Sequence, residues 1–189
     1  MDRNFYVPKF GKAFRRTDDF ATQMRGVDFY LDMHGKQVAF DEKAKEANYG
    51  GPVGFEMTLV KNGEEREGWF GGSWAQAEII ATITPKAATK YPKDPDAIGS
   101  AEVFWTSKAR LKAWVESRGR TMEQLMEDAR VLRRDVEDGG SMEFKRRYPH
   151  GDFWLTLSTW LDERPVNLVI PRATLESLSA KKFSVDKNF

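Results

Sequence analysis

The chain of 189 residues has no cysteine and only two histidines, His34 and His150. The lack of cysteine excludes a disulfide framework, thiolate zinc sites and cysteine nucleophiles. So few histidines exclude a histidine-rich metal centre and a metalloprotease helix. A Ser-His-Asp triad survives the count, yet no G-x-S-x-G is present to nominate its serine. No apolar run approaches the ~20 residues that cross a bilayer. The opening stretch MDRNFYVPKFGKAFRR carries cations but no apolar segment of the secretory kind. The expectation is therefore a soluble, cytoplasmic protein without membrane association. A strong charge of either sign is missing too, since 30 Lys+Arg stand against 29 Asp+Glu and leave +1. With 13% aromatics as well, the chain is not of the disordered class. Chemistry is left to carboxylates, lysine and a divalent cation.

What is present first is a strand pattern. Residues 26–31 are rich in strand formers, His34-Gly35-Lys36 reads as a turn, and 37–41 resume an extended run. Residues 53–60 alternate, with Phe55, Met57 and Leu59 on one face. Lys61-Asn62-Gly63 turns the chain, and 67–70 is the expected return. Residues 78–84 predict a further strand closed by Pro85, and the proline-rich stretch 85–99 a surface loop. Helices follow. Ser107 caps one that ends at Gly119, and Thr121 and Gln124 form a capping box ahead of the stripe Leu125, Met126, Ala129 and Leu132. Arg130, Arg133 and Arg134 sit among acids and predict a solvated, salt-laced face. Strands over 153–161 and 166–170 and a helix through Leu175 and Leu178 close the chain. The order predicts an α/β (α+β) fold, a single domain over 1–189 with a central mixed sheet flanked by helices. Its parts are a basic, aromatic arm (1–16), a hairpin-rich core (17–84) and a region of helices and closing strands (100–189).

The first hairpin carries the chemistry. A turn near residues 33–36 places Asp28 nearly opposite Asp41, on strands ~5 Å apart. The side-chain period of two sets Asp41 and Lys43 on one face and Glu42 on the other. Paired carboxylates repel unless a cation sits between them, and Mg²⁺ accepts such hard oxygens while keeping several waters. Each acid alone is more often a solvated strand residue; the conjunction at hairpin register raises the signal.

The pattern G-V-D-(x)12-D-E-K, with an apolar strand before each acid, resembles the PD-(D/E)xK nuclease superfamily. The resemblance covers residues 17–60. It implies a restriction-endonuclease-like core, to which the 53–70 hairpin would be an addition. It also implies a Mg²⁺- (or Mn²⁺-) dependent nuclease hydrolysing DNA, with RNA second, through a metal-bound water. Asp28 and Asp41 would bind the metal, Glu42 would lend only its backbone carbonyl, and Lys43 would assist hydrolysis. Two departures stand out: Val27 occupies the place of the usual proline, and no Glu precedes Asp28. Gln23, or else Asp18 or Asp19, is the candidate to stand in for that Glu, and Glu56 is a second-tier candidate for a third carboxylate. Nucleic-acid contact falls to two basic blocks interleaved with aromatics, Lys9, Lys12, Arg15 and Arg16 in the arm and Lys145, Arg146 and Arg147 later. The competing reading of each block is a solvated surface whose aromatics pack inward. The competing reading of the protein is a non-catalytic nucleic-acid- or protein-binding module with the same fold.

Overall fold

The computed structural model describes residues 1–46, 48–88, 98–139 and 144–186. It is an α+β fold with two sheets, and residue contacts divide the chain into two compact units. The first unit comprises Met1–Gly50, Gln76–Arg110 and the chain from Leu175 onward; the second comprises Gly51–Ala75 and Leu111–Thr174. Among the described residues no helix is long and apolar enough to cross a membrane.

The first unit holds a six-stranded mixed sheet in the order β1-β2-β3-β6-β7-β11. Its strands are β1 (Phe14–Arg16), β2 (Phe29–Met33), β3 (Lys36–Ala44), β6 (Ile79–Ala87), β7 (Ile98–Ser107) and β11 (Lys181–Asp186). Strands β2 and β3 form the expected hairpin, closed by Met33↔Lys36. His34 and Gly35, both at positive φ, supply the two-residue turn that matches strand twist. The only parallel pairing among the described strands is β3 with β6. The alternation in β3 turns Phe40 into an aromatic core with Phe29, Leu31, Ala81, Val103 and Trp105. Phe5 and Tyr6 of the N-terminal segment belong to that core, with Phe10 and Phe14 packed against it. The arm thus buries its aromatics, each full burial contributing about 2 kcal/mol. A short helix, α1 (Val7–Phe10), precedes β1, and another, α2 (Phe20–Gln23), follows it.

The second unit holds a five-stranded antiparallel sheet in the order β5-β4-β10-β9-β8. Its strands are β4 (Val53–Lys61), β5 (Glu64–Glu67), β8 (Lys145–Arg147), β9 (Trp154–Leu157) and β10 (Val166–Ile170). The second hairpin belongs to this sheet rather than to that of the first. Helix α4 (Met122–Glu137) packs across β4, β9 and β10 with Leu125, Met126, Ala129 and Leu132 buried. Its capping box forms as expected, Gln124 N–H donating to Thr121 Oγ1 at 3.1 Å and Thr121 N–H to Gln124 Oε1 at 3.0 Å.

Several elements depart from expectation. The return strand of the second hairpin is 64–67, not 67–70. At Gly68 a Cβ would lie 2.5 Å from the Glu56 carbonyl, so the chain leaves the ladder at a place only glycine fits. Strand β6 passes through Pro85 instead of stopping there. The Pro85 carbonyl accepts from Asn48 N–H at 2.7 Å, and its nitrogen lies on that same side, past the last β3 pair Ala44↔Ile83. No ladder bond is lost, so proline is tolerated. Of the expected 85–99 loop, 89–97 lie outside the described residues; β7 then begins at Ile98. Arg133 is buried instead of solvated, because it follows Ala129 by four residues and shares its inward stripe. The expected strand over 153–161 shortens to 154–157, and β11 follows the closing helix α5 (Arg172–Leu178).

Candidate active site

The sheet of the first unit has a second face, opposite the aromatic core. Asp41 and Lys43 of β3 pair with Ile80 and Thr82 of β6, and all four lie on this face. Thr82 and Thr106 are buried there, and Thr106 Oγ1 meets Ser179 Oγ at 3.0 Å. Asp28 stands one step beyond the last β2–β3 pair, Phe29↔Phe40. Its amide donates to the Phe40 carbonyl at 2.8 Å, and its Oδ2 accepts from Glu42 N–H at 2.6 Å. The chain therefore brings Asp28 to Asp41, as the hairpin register requires.

Asp41 is only 3% exposed. Its Oδ1 is 3.0 Å from Lys43 Nζ, whereas its buried Oδ2 has no hydrogen-bond partner. Burial raises its pKa from 3.8 to about 6; Lys43 and Lys108 oppose the rise and the Asp28 charge adds to it. Lys108, buried at the start of helix α3 (Lys108–Glu116), is a member of this cluster that sequence reasoning missed. Nothing local marks it, because only the pairing of β6 with β7 carries it near Asp41. Lys45 was missed as well, although the alternation Asp41, Lys43, Lys45 is visible in DEKAK.

The other candidates go elsewhere. Glu42 faces the opposite side, where Arg16 Nη2 approaches its carboxylate at 3.3 Å. Arg16 also pairs with Asp2, so its guanidinium is engaged within the arm. Arg15 lies over the Tyr30 ring and Lys9 over Phe183, while Lys12 is exposed. Gln23 Nε2 donates to the Thr17 carbonyl at 2.9 Å and braces the turn that leads to Asp28. Asp19 caps α2, and hydrogen bonds from Thr22 hold its pKa below the usual carboxylate value. Glu56 lies on β4 of the second unit, its carbonyl bound to Phe70 N–H at 3.0 Å. In that unit Arg146 pairs with Asp128 at 3.0 Å, Arg147 lies over Trp154, and Lys145 is exposed.

Among the described residues no group of three or more acidic or histidine side chains could hold a metal ion. Asp28 and Asp41 make a pair. Two hard carboxylates suit Mg²⁺, which is commonly bound through one or two carboxylates with water completing its shell. The unpartnered Oδ2 of Asp41 is the atom such a cation would engage.

No protein-family model, curated protein or solved structure matches this chain.

Proposed function

We propose that Asp28, Asp41 and Lys43 form the hydrolytic centre of a divalent-cation-dependent nuclease that acts on DNA, with RNA as the second substrate class. The observation that carries the reading is the buried Asp41 Oδ2 without a partner, beside a second carboxylate and a lysine. A buried carboxylate oxygen without a hydrogen bond costs about 1–3 kcal/mol or more, and sites kept for chemistry are where such a cost persists. Asp28 and Asp41 would hold Mg²⁺ or Mn²⁺, which when bound supplies Lewis-acid charge for attack of water on a phosphodiester. Lys43, released from Asp41 as that carboxylate turns to the cation, would place its ammonium against the developing charge on phosphate. The same reading takes the strands around β2 and β3 as a restriction-endonuclease-like core, working in the cytoplasm.

The test is incubation with plasmid and linear DNA in Mg²⁺ and Mn²⁺. Wild type should cleave, and Asp41→Asn and Lys43→Ala should each lose at least about a hundredfold in rate, the scale set by removing one electrostatic or acid–base participant. No cleavage of any substrate, with melting indifferent to Mn²⁺, overturns the proposal. A second reading has its own support. Lys43 already compensates Asp41, and the acids number two. A nucleic-acid-binding module of the same fold should bind DNA in EDTA without cleaving it in metal.

A further inference from the structure

Lys45 follows β3 directly and extends its ladder by one bond, its N–H donating to the Ile83 carbonyl at 2.8 Å. The strand period therefore sends its side chain to the face of Asp41 and Lys43. Three residues on, Asn48 pins the same turn to the end of β6. Its N–H donates to the Pro85 carbonyl at 2.7 Å, its Nδ2 donates to the Ala87 carbonyl at 2.6 Å, and its Oδ1 accepts from Ala87 N–H at 3.3 Å. Asn48 sits at φ 58°, a left-handed conformation that asparagine tolerates better than most residues. The backbone at Lys45 and at Asn48 is thus tied to β6.

Lys43 has Asp41, but no carboxylate among the described residues pairs with Lys45, which is half-buried. Burial and the neighbouring Lys43 charge both push its pKa below the ordinary lysine value. A half-buried ammonium beside a second ammonium, on a tethered turn, is arranged to receive an anion. Lys43 and Lys108 act on the Asp41 charge, and Lys45 stands beside Lys43, so cations line this face of β3 from Asp41 onward.

We propose that Lys45 anchors a phosphate subsite beside Asp41 and Lys43, taking the substrate phosphate adjacent to the one under attack. The assignment rests on the phosphodiester reading of the site and makes Lys45 a binding and positioning residue rather than a participant in hydrolysis.

The experiment separates the two claims by removing the metal. Inorganic phosphate is titrated into the full chain in EDTA, and the lysine Hε–Cε signals and the melting temperature are followed. Wild type should saturate, Lys45→Gln should weaken binding by about tenfold, and Lys45→Arg should stay within about threefold, because a guanidinium also binds phosphate. Lys36→Gln, at the opposite end of β3, should match wild type. With DNA, Lys45→Gln should raise KM about tenfold, hold kcat within about threefold, and flatten the salt dependence of binding by the equivalent of one phosphate contact. Should Lys45→Gln not fold, Lys45→Met in the same titration carries the comparison. Wild-type phosphate binding by Lys45→Gln, or no saturable binding by wild type, overturns the subsite. Phosphate binding lost in Lys45→Gln together with no cleavage by wild type would overturn the nuclease reading alone.

Discussion

Each unit buries charge, and the two do so in opposite ways. In the second unit Arg133, 3% exposed, has a partner at each of its three nitrogens. Its Nε donates to Glu65 at 2.9 Å, Nη1 to the Arg164 carbonyl at 2.7 Å and Nη2 to Thr58 Oγ1 at 3.0 Å. Asp128 in the same unit accepts from Tyr148 Oη at 2.8 Å and pairs with Arg146 at 3.0 Å. In the first unit Asp41, equally buried, has one oxygen on Lys43 and the other on nothing. A charge that serves the fold has a partner at each of its polar atoms. A charge left short of partners adds cost without structural return, and that contrast separates the candidate site from the scaffold.

Four substitutions probe the contrast, from the largest effect to the smallest. Arg133→Ala should destabilise by about 3 kcal/mol, because it strips Thr58 and the Arg164 carbonyl of their donor and opens a cavity. Thermal denaturation should show a fall of roughly 6–12 °C, and a loss under 1 kcal/mol would break the comparison from the structural side. Tyr148→Phe removes one hydrogen bond and leaves Asp128 with Arg146, so a loss of about 1–2 kcal/mol is expected in urea.

Asp41→Asn should move the other way, by about 1 kcal/mol of added stability in EDTA at pH 7.5. The sign follows from linkage. Its folded pKa, about 6, lies above the ordinary 3.8, so the folded state is favoured while the acid is protonated. That advantage is lost as pH rises from near 4 through 6, by up to about 3 kcal/mol. Asparagine escapes this loss but leaves its own buried amide short of partners, which reduces the gain. The difference in melting temperature between variant and wild type should therefore grow between pH 4 and 6.5 and then level. A variant that melts lower at every pH would place Asp41 with the structural charges. Lys43→Gln should destabilise by under about 1 kcal/mol at pH 7.5, because Lys43 is partly exposed and Asp41, deprived of its cation, shifts its pKa further upward instead of standing charged and uncompensated.

Much of the local structure was legible because it is written in short-range chemistry. The Asn62-Gly63 turn, the box of Thr121 and Gln124, the Ser107 cap and the glycine stop at Gly119 all rest on neighbours within a few residues. The Asp28–Asp41 juxtaposition was legible for a related reason: a two-residue turn at His34-Gly35 counts residues outward along both strands. Strand β7 was missed although Ala101, Val103 and Trp105 alternate, because the proline-rich stretch ahead of it and the helix behind it drew the reading to either side. Strand β11 offers KKFSVD, whose buried Val185 and half-buried Phe183 find their apolar neighbours only through the tertiary fold, on β7 and in the N-terminal segment.

By itself, then, the sequence determined the turns, the caps, the helical stripe of α4 and the facing of two carboxylates across one hairpin. These depend on backbone periodicity and on contacts a few residues long. Only the tertiary structure decided that the two hairpins belong to different sheets, that the arm's aromatics close a core, and that β6 runs on through Pro85. It alone decided which charges would be satisfied. Hydrogen-bond partners for Arg133 and Asp128 come from positions up to 75 residues away in the chain, and the burial that strands Asp41 Oδ2 depends likewise on strands paired across the sheet. Desolvation is a property of everything packed around an atom, and no local pattern encodes it.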